Sequence, residues 1–438
     1  MPKKRQYTNE LEKNIEKNVR IAGWVFDIRT LGGINFIILR DYTGTIQITL
    51  PKSKVSKNLL DLCNKLHQED VIYIEGKVVK NKKAPSGIEI IPNKIDLIAR
   101  AQTPLPLDPR NVTKANLDTR LDWRSIDLRK PENLAIFKIQ SKLIEGFENF
   151  LRKKGFIHVF TPSLLGGTSE SGSEVFPVVY YDRQAYLRQD PQLHRELLIA
   201  GGFEKIFDMG PSWRAEKSHT IRHLCEHRTI APEMAFIKDE MEIIKLEQDM
   251  VVAGLELVKK ECKNELELLG KKIEIPKIPF PELRFPKIYE ILKNMGKKIG
   301  FGEDYDRESE ELLAKYVKEK YKTDFFFVNR FPFATKPFYV MRVDEEPTWA
   351  RSIDLIFKGV EMSSGGQREH RYEKIIEQIK GKNMSVKTLE WFTEVFRYGV
   401  PTMGGFSLGF ERFTQMLLDL ANVREATLFP RDTERLVP

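Results

Sequence analysis

Three stretches of the chain concentrate side chains able to hold an anion. The first, GPSWRAEKSHTIRHLCEHRTIAPEMAF from Gly210 to Phe236, reads as a strand, a polar loop and a returning strand. Arg214 and Glu216 stand where the first strand ends, and Lys217, His219, Arg222 and His223 fall in the loop. A basic hairpin of this kind suits phosphate, because the planar guanidinium fork matches its oxygens. A solvated charged hairpin is the plain alternative. Four of the seven histidines lie between His194 and His227, which raises the question of a metal. The lack of HExxH, the single cysteine and the neighbouring arginines disfavour one.

The second stretch, SIDLIFKGVEMSSGGQREH from Ser352 to His370, sets Asp354 and Glu361 seven residues apart on or beside strands. Two such carboxylates could hold Mg²⁺ together with bound phosphates. Ser363-Ser364-Gly365-Gly366 lets the backbone approach a ligand, and Arg368 follows at once. The third, GGFSLGFERFTQMLLDLANV from Gly404 to Val423, is a glycine-punctuated strand running into an amphipathic helix with Arg412 in its first turn. A helix N-terminus with an arginine binds anions, whereas neither GxGxxG nor GxxxxGK[ST] occurs there. A fourth, YLRQDPQLHRELL from Tyr186 to Leu198, crowds charged and amide side chains into a strand that enters a helix.

Folded elements must position these residues, and 438 residues suggest two or three domains. Hydrophobic residues make up 41% and charged residues 31%, an ordinary globular balance. No run approaches the roughly 18 apolar residues of a membrane span, and MPKKRQYTNELEKN lacks the apolar core of a secretory signal. The expectation is a cytoplasmic protein with no membrane partner. Cys63, Cys225 and Cys262 show no CxxC spacing and read as free thiols. A net charge of +8 favours a polyanion such as nucleic acid, although a lysine-rich solvated surface carries the same signature.

From Asn18 to about Arg100 the chain reads as short strands, NVRIAGWVFDIR, INFIILRD, TIQITL, VIYIEGKVV and IEIIPNKIDLI, interrupted by one helical patch. Five strands and a helix in that length suggest a small closed barrel of the oligonucleotide-binding type. Phe36 on such a barrel would offer a stacking surface or belong to the core. A proline-rich linker follows over 101–132, then the amphipathic helix NLAIFKIQSKLIEGFENFLRKKGF. The expected organisation is a barrel over 1–100, a linker over 101–132 and an α+β domain over 133–438, with an inserted helical region at about 239–340. Strands and helices do not alternate strictly, so an antiparallel sheet flanked by helices is expected.

In this order, RAEKSHTIRHL, GVEMSSGGQREH and GGFSLGFERF, behind a helix that leads into GFIHVFTP, resemble the three signature motifs of class II aminoacyl-tRNA synthetases. With the barrel, the resemblance covers nearly the whole chain and is closest to the archaeal-type aspartyl branch; NVREATLFPRDTERLVP resembles that family's C-terminus. It implies an OB-type anticodon-binding barrel followed by a class II catalytic domain. It also implies ATP and Mg²⁺ as cofactors, aspartate and tRNA-Asp as substrates, and a homodimer to which the helix from Asn133 to Gly155 contributes. Carried over by position, Arg214 would grip the α-phosphate, Glu216 the adenine side, Arg222 and His223 the outer phosphates, and Arg412 the γ-phosphate. His227 would take the place of the aromatic residue that stacks on adenine, and Asp354 and Glu361 would hold Mg²⁺. Glu170 would meet the α-ammonium, Gln192 would hydrogen-bond the amino acid, and Arg368 would bind its side chain, with Arg195 and Ser364 in the same set. On the barrel, Phe36 would stack on the central anticodon base and Gln47 would read an adjacent edge. Members that accept only tRNA-Asp tend to have a tryptophan where this chain has Phe26 and a lysine where it has Pro85; proline there resembles the non-discriminating subgroup, which also aspartylates tRNA-Asn.

Three residues depart from the aspartyl pattern. Gln-Ser-Pro-Gln followed by a lysine three residues on is here Gln189-Asp190-Pro191-Gln192 and then Arg195, and the aspartate expected on the return strand is Ala231. If Asp190 pairs with Arg195 the balance is kept in a new geometry, and with Arg368 added a net positive charge is expected to favour aspartate over asparagine. Two alternatives stand beside this: an asparaginyl-tRNA synthetase, and a synthetase paralogue with a changed substrate or no tRNA charging.

Overall fold

The computed structural model describes residues 4–110, 112–167, 175–217 and 220–438. They form two compact units, Met1–Pro131 and Glu132–Pro438. In the first, side chains alternate inward and outward along β1 (Asn18–Leu31), β2 (Ile34–Arg40), β3 (Thr45–Pro51), β4 (Val71–Lys80) and β5 (Ile88–Ala99), with α1 (Lys57–Cys63) before β4. The strands close in the order β1-β2-β3-β5-β4. Val19, Ile21, Ile37, Leu39, Ile46, Ile48, Ile72 and Ile74 fill the interior, the β-branched content that a pleated, half-buried surface favours. The expected linker is partly folded. Leu117–Asp122 and Arg124–Asp127 are short helices, the first capped by the Asn116 side chain, which accepts from Thr119 N at 2.8 Å.

The second unit is built on an eight-stranded sheet. Its strands are β6 (Ile157–Val159), β7 (Lys205–Trp213), β8 (Glu226–Ala235), β9 (Glu282–Arg284), β10 (Phe325–Asn329), β11 (Ser352–Phe357), β12 (Val360–Arg368) and β13 (Met403–Gly409). Their order is β9-β10-β11-β12-β13-β8-β7-β6. The sheet is antiparallel except at its two edges, where β6 runs parallel to β7 and β9 parallel to β10. The expected antiparallel sheet is therefore a mixed one. Both edge pairings are reached through long connections that include helices, as parallel neighbours require. The stretch from 239 to 340 is correspondingly not a purely helical insertion. It contains α4 (Met241–Glu261) and α5 (Arg307–Tyr321) but also supplies β9 and β10, and Phe325–Asn329 is buried along its whole length.

One face of this sheet is apolar. Here α2 (Pro131–Lys153), which begins with proline at its first position, lays Ile136, Ile139, Leu143 and Phe147 against α4, Phe207, Ile230, Leu355 and Leu408. The two helices touch backbone to backbone: a Cβ on Gly146 would stand 2.7 Å from the Gly254 Cα. With period two along each strand, the residues between these core positions face the opposite way. A small sheet (Leu164–Leu165, Pro177–Tyr180, Arg183–Leu187) leads into α3 (Gln192–Ala200), which packs on β7 and β8. After β13, α6 (Phe410–Leu417) starts at once.

Candidate active site

Along β8, His227, Thr229, Ala231 and Glu233 alternate with the core residue Ile230, and along β12 Ser364 and Arg368 share a face. Register brings these rows together: Ser212 lies opposite His227, Thr229 opposite Gly409, Glu233 opposite Gly405, and Ser364 opposite both Asp354 and Ser407. A cavity of about 390 Å³ opens over this face. It is lined by Gln192, Arg214, Glu216, Arg222, His223, His227, Glu361, Ser364, Arg368 and Arg412. The sequence motifs, far apart in the chain, thus supply one wall system. Glu361 and Arg368 sit at opposite ends of β12, about 23 Å apart at the rise of an extended strand.

Around Arg368 the groups are buried and interlocked. Gln192, Arg195, Glu196 and Ile199 occupy one face of α3, spaced as helical neighbours, and all four are buried. Arg368 Nε donates to Glu233 Oε1 at 2.9 Å, and its Nη2 donates to Gln192 Oε1 at 3.0 Å, Glu233 Oε2 at 3.2 Å and the Gly405 carbonyl at 3.1 Å. Position 405 must be glycine, because a Cβ would run into the Pro232 carbonyl and the Glu233 carboxylate. Gln192 Nε2 donates to Glu196 Oε1 at 3.0 Å and Glu233 Oε2 at 3.2 Å, while Arg195 Nη2 donates to Gln192 Oε1 at 2.7 Å.

Asp190 does pair with Arg195, Oδ1 to Nη1 at 2.7 Å. Two expectations are corrected there. Arg195 does not face a ligand: its side chain is 1% exposed and does not line the cavity, whereas Asp190 and Gln192 do. Nor does a net positive charge remain, because Glu233 neutralises Arg368 as Asp190 neutralises Arg195. Burial would raise the Asp190 carboxyl, but Arg195, then Arg368 and Arg214, outweigh it and hold the group below its ordinary range. Glu196 behaves oppositely. Burial drives its carboxyl well above the carboxylate range, against the pull of Arg368.

Toward Glu361 the lining changes character. Arg214 follows directly on β7, with Nη1 3.5 Å from Glu216 Oε1, and its backbone N–H donates to the Cys225 carbonyl at 2.9 Å. His223 Nδ1 lies 2.6 Å from Thr220 Oγ1. Arg412, in the first turn of α6, donates from Nη1 to the Glu361 carbonyl at 3.0 Å. His227 is driven down to about 3 by burial, with Arg214 and Arg412 adding to the shift, and presents a neutral ring. Burial, then Glu361, pushes Glu310 of α5 up to about 7, against the pull of Arg222 and Arg412. Glu310 was missed in the sequence, as were Glu233 and the cavity-lining Lys336. Glu310 and Lys336 belong to no motif, and Glu233, on the returning strand of the first stretch, was given no role; only the fold brings the three here.

Asp354 stands on the cavity face but does not line the cavity; Lys336 Nζ covers it at 3.2 Å from Oδ2. Burial raises its carboxyl to about 6, Lys336 opposes this, and Glu361 adds to it. Asp354, Glu361 and the Ser364 hydroxyl make an oxygen-only set that suits a hard cation. Among the described residues no group of three or more His, Cys, Asp or Glu side chains could hold a metal. Glu170 and His219 lie outside the described residues.

On the barrel, Phe36 faces outward between the buried Asn35 and Ile37, opposite Thr49. Gln47 lies on the same face, its Nε2 donating to Thr49 Oγ1 at 3.2 Å and Glu89 Oε2 at 3.0 Å. Glu89, which the sequence reading passed over, also accepts from Thr49 at 2.6 Å and Asn81 at 2.7 Å. Pro85 is exposed in the β4–β5 loop that Asn81 opens.

Residues 116–433 match the family described as "tRNA synthetases class II (D, K and N)", and residues 19–98 match "OB-fold nucleic acid binding domain". The chain is 46% identical to "Aspartate–tRNA(Asp) ligase" of Pyrococcus horikoshii, over 99% of both chains. It is 42% identical to "Aspartate–tRNA(Asp/Asn) ligase" of Methanopyrus kandleri, over 96% of both. Its fold superposes on the asparaginyl-tRNA synthetase of Pyrococcus horikoshii, solved with asparaginyl-adenylate, with a TM-score of 0.93 and 32% identity over 100% of both chains.

Proposed function

The chain belongs to the class II tRNA synthetases of the D, K and N group, and from that membership we propose that it is an aspartate–tRNA ligase. It joins aspartate to ATP, forming aspartyl-adenylate and pyrophosphate, and passes the aspartyl group to the 3′ end of tRNA-Asp. The observation that carries the reading is one cavity lined both by Arg214, Arg222 and Arg412 and by Gln192 and Arg368. The reaction needs no protein nucleophile; it needs the aspartate carboxylate held in line with the α-phosphorus and the developing charge neutralised. Arg214 grips the α-phosphate, Arg222, His223 and Arg412 hold the outer phosphates, and the neutral His227 ring stacks on adenine with Glu216 beside it. Gln192, Ser364 and Arg368 hold the amino acid, with Glu170 assigned to its ammonium group. Asp354 and Glu361 would hold Mg²⁺, which shields the phosphate charges when bound. The barrel reads the anticodon through Phe36 and Gln47, and Pro85, with Phe26 in place of a tryptophan, supports the charging of tRNA-Asn as well. The functional unit is a homodimer to which α2 contributes, working in the cytoplasm where its tRNA is.

Amino-acid-dependent ATP–pyrophosphate exchange across the standard amino acids tests this. Aspartate should give the highest kcat/KM; asparagine at or above its level would replace the reading with an asparaginyl-tRNA synthetase. Charging confined to tRNA-Asp would remove tRNA-Asn from the substrates.

A further inference from the structure

Asp190 occupies an unusual place. About a quarter of its side chain is open to the cavity, while the arginine it binds is 1% exposed behind it. Arg368 also lines the cavity and shares Gln192 Oε1 with Arg195. The position opposite Asp208 on β8, where a second acid could have balanced Arg195 from the sheet, is Ala231. Asp190 is therefore both the direct ion-pair partner of Arg195 and the surface that a ligand's side chain meets beside Arg368. Aspartate and asparagine are nearly isosteric, and a wall of this composition separates them by charge and hydrogen-bond polarity alone. The β-carboxylate of aspartate accepts from Arg368 but meets a like charge on Asp190. An amide accepts from Arg368 through its oxygen and donates to Asp190 through its nitrogen.

We infer that Asp190 sets how strongly this pocket distinguishes aspartate from asparagine, by holding Arg195 away from the ligand and presenting a carboxylate in its place. The inference rests on the reading of the cavity as an aspartate–tRNA ligase site. In the native protein Asp190 narrows the preference for aspartate. Removing it opens the way from the cavity to a buried guanidinium that then lacks its direct partner, and the β-carboxylate of aspartate fills that role.

The test is pyrophosphate exchange by the full-length protein with L-aspartate and L-asparagine as separate substrates. Asp190→Ser should raise the aspartate-to-asparagine ratio of kcat/KM at least about tenfold, with the KM for aspartate falling. Aspartate should also raise the melting temperature of this variant more than that of the native protein, a response that a purely structural role would not give. Asp190→Asn keeps the shape of the side chain and should move the ratio the same way by at least about threefold, so a Ser variant that fails to fold does not end the test. A ratio within twofold of native in the variant that folds, or a move toward asparagine, overturns the inference while leaving the ligase reading intact. A native protein that exchanges with neither amino acid overturns both.

Discussion

Arg368→Lys is the most demanding perturbation of the amino-acid end. The guanidinium makes four donor contacts, two to the Glu233 carboxylate and one each to Gln192 and the Gly405 carbonyl, from a side chain 5% exposed. Lysine keeps the charge but donates from one atom, so it cannot span the Glu233 carboxylate and reach Gln192 together. At least two charge-assisted hydrogen bonds are lost, each worth about 1.5–3 kcal/mol, in a place where a broken buried pair costs about 3–5 kcal/mol. Part of this falls on the fold, and a drop in melting temperature on the order of 5–10 °C follows. The remainder falls on aspartate: if about 3 kcal/mol of positioning is lost, kcat/KM for aspartate decreases by about two orders of magnitude. The measurement is exchange kinetics with aspartate and ATP varied separately, beside thermal denaturation. The KM for aspartate should carry the loss and that for ATP should change far less. A variant with native KM for aspartate and a melting temperature within about 2 °C of native would show that Arg368 is a surface of the pocket and not its anchor.

Glu247, buried in α4 and accepting from Ser363, is raised to about 8 by burial. Its folded value lies above its unfolded one, so it supports the fold fully below about pH 4.5 and loses that support, by up to about 1.4 kcal/mol per pH unit, as pH rises toward 8. Glu247→Gln should flatten stability against pH over that window, measured by urea denaturation at a series of pH values; a slope unchanged from native would refute the assignment. For His227 the sign reverses: held down to about 3 by burial, it stays neutral in the fold but takes up a proton on unfolding, so stability falls as pH drops below about 6.5. His227→Phe should remove that acid-side loss and leave the KM for ATP equal or lower, whereas a KM raised tenfold would exclude stacking on adenine. Phe36→Ala should lower kcat/KM for tRNA charging by about 10- to 100-fold, the worth of one stacked base, and a change below twofold would place anticodon recognition elsewhere.

Much of the fold was readable because period carries it. Alternation in NVRIAGWVFDIR and its successors placed the five barrel strands, and the helical spacing of Ile136, Ile139, Leu143 and Phe147 placed α2. The stretch after residue 239 misled for a physical reason. Phe325–Asn329 opens with four apolar residues that cover both faces, with no alternation to mark it, and the turns around Glu282–Arg284 hide a three-residue edge strand between helices. The arginines of the motifs were legible through residue type, and the structure gathers Arg214, Arg222, Arg368 and Arg412 around one cavity.

What the sequence could not disclose is pairing, and pairing rather than composition decides the sign of the pocket. Counting Arg195 and Arg368 against Asp190 gave a surplus that vanishes once β8 and β13 bring Glu233 beneath Arg368. Period two along β8 already told that residue 231 shares a face with Glu233, so the loss of an acid at Ala231 was visible. Asp190, just ahead of α3 and five residues before Arg195, was visible as its replacement; what was not visible is that Asp190 lines the cavity while Arg195 is buried behind it. The exchange conserves charge but moves it, from the floor of the sheet to the wall that a ligand touches. A substitution pattern neutral in its sum is therefore not neutral in its effect on discrimination between a carboxylate and an amide.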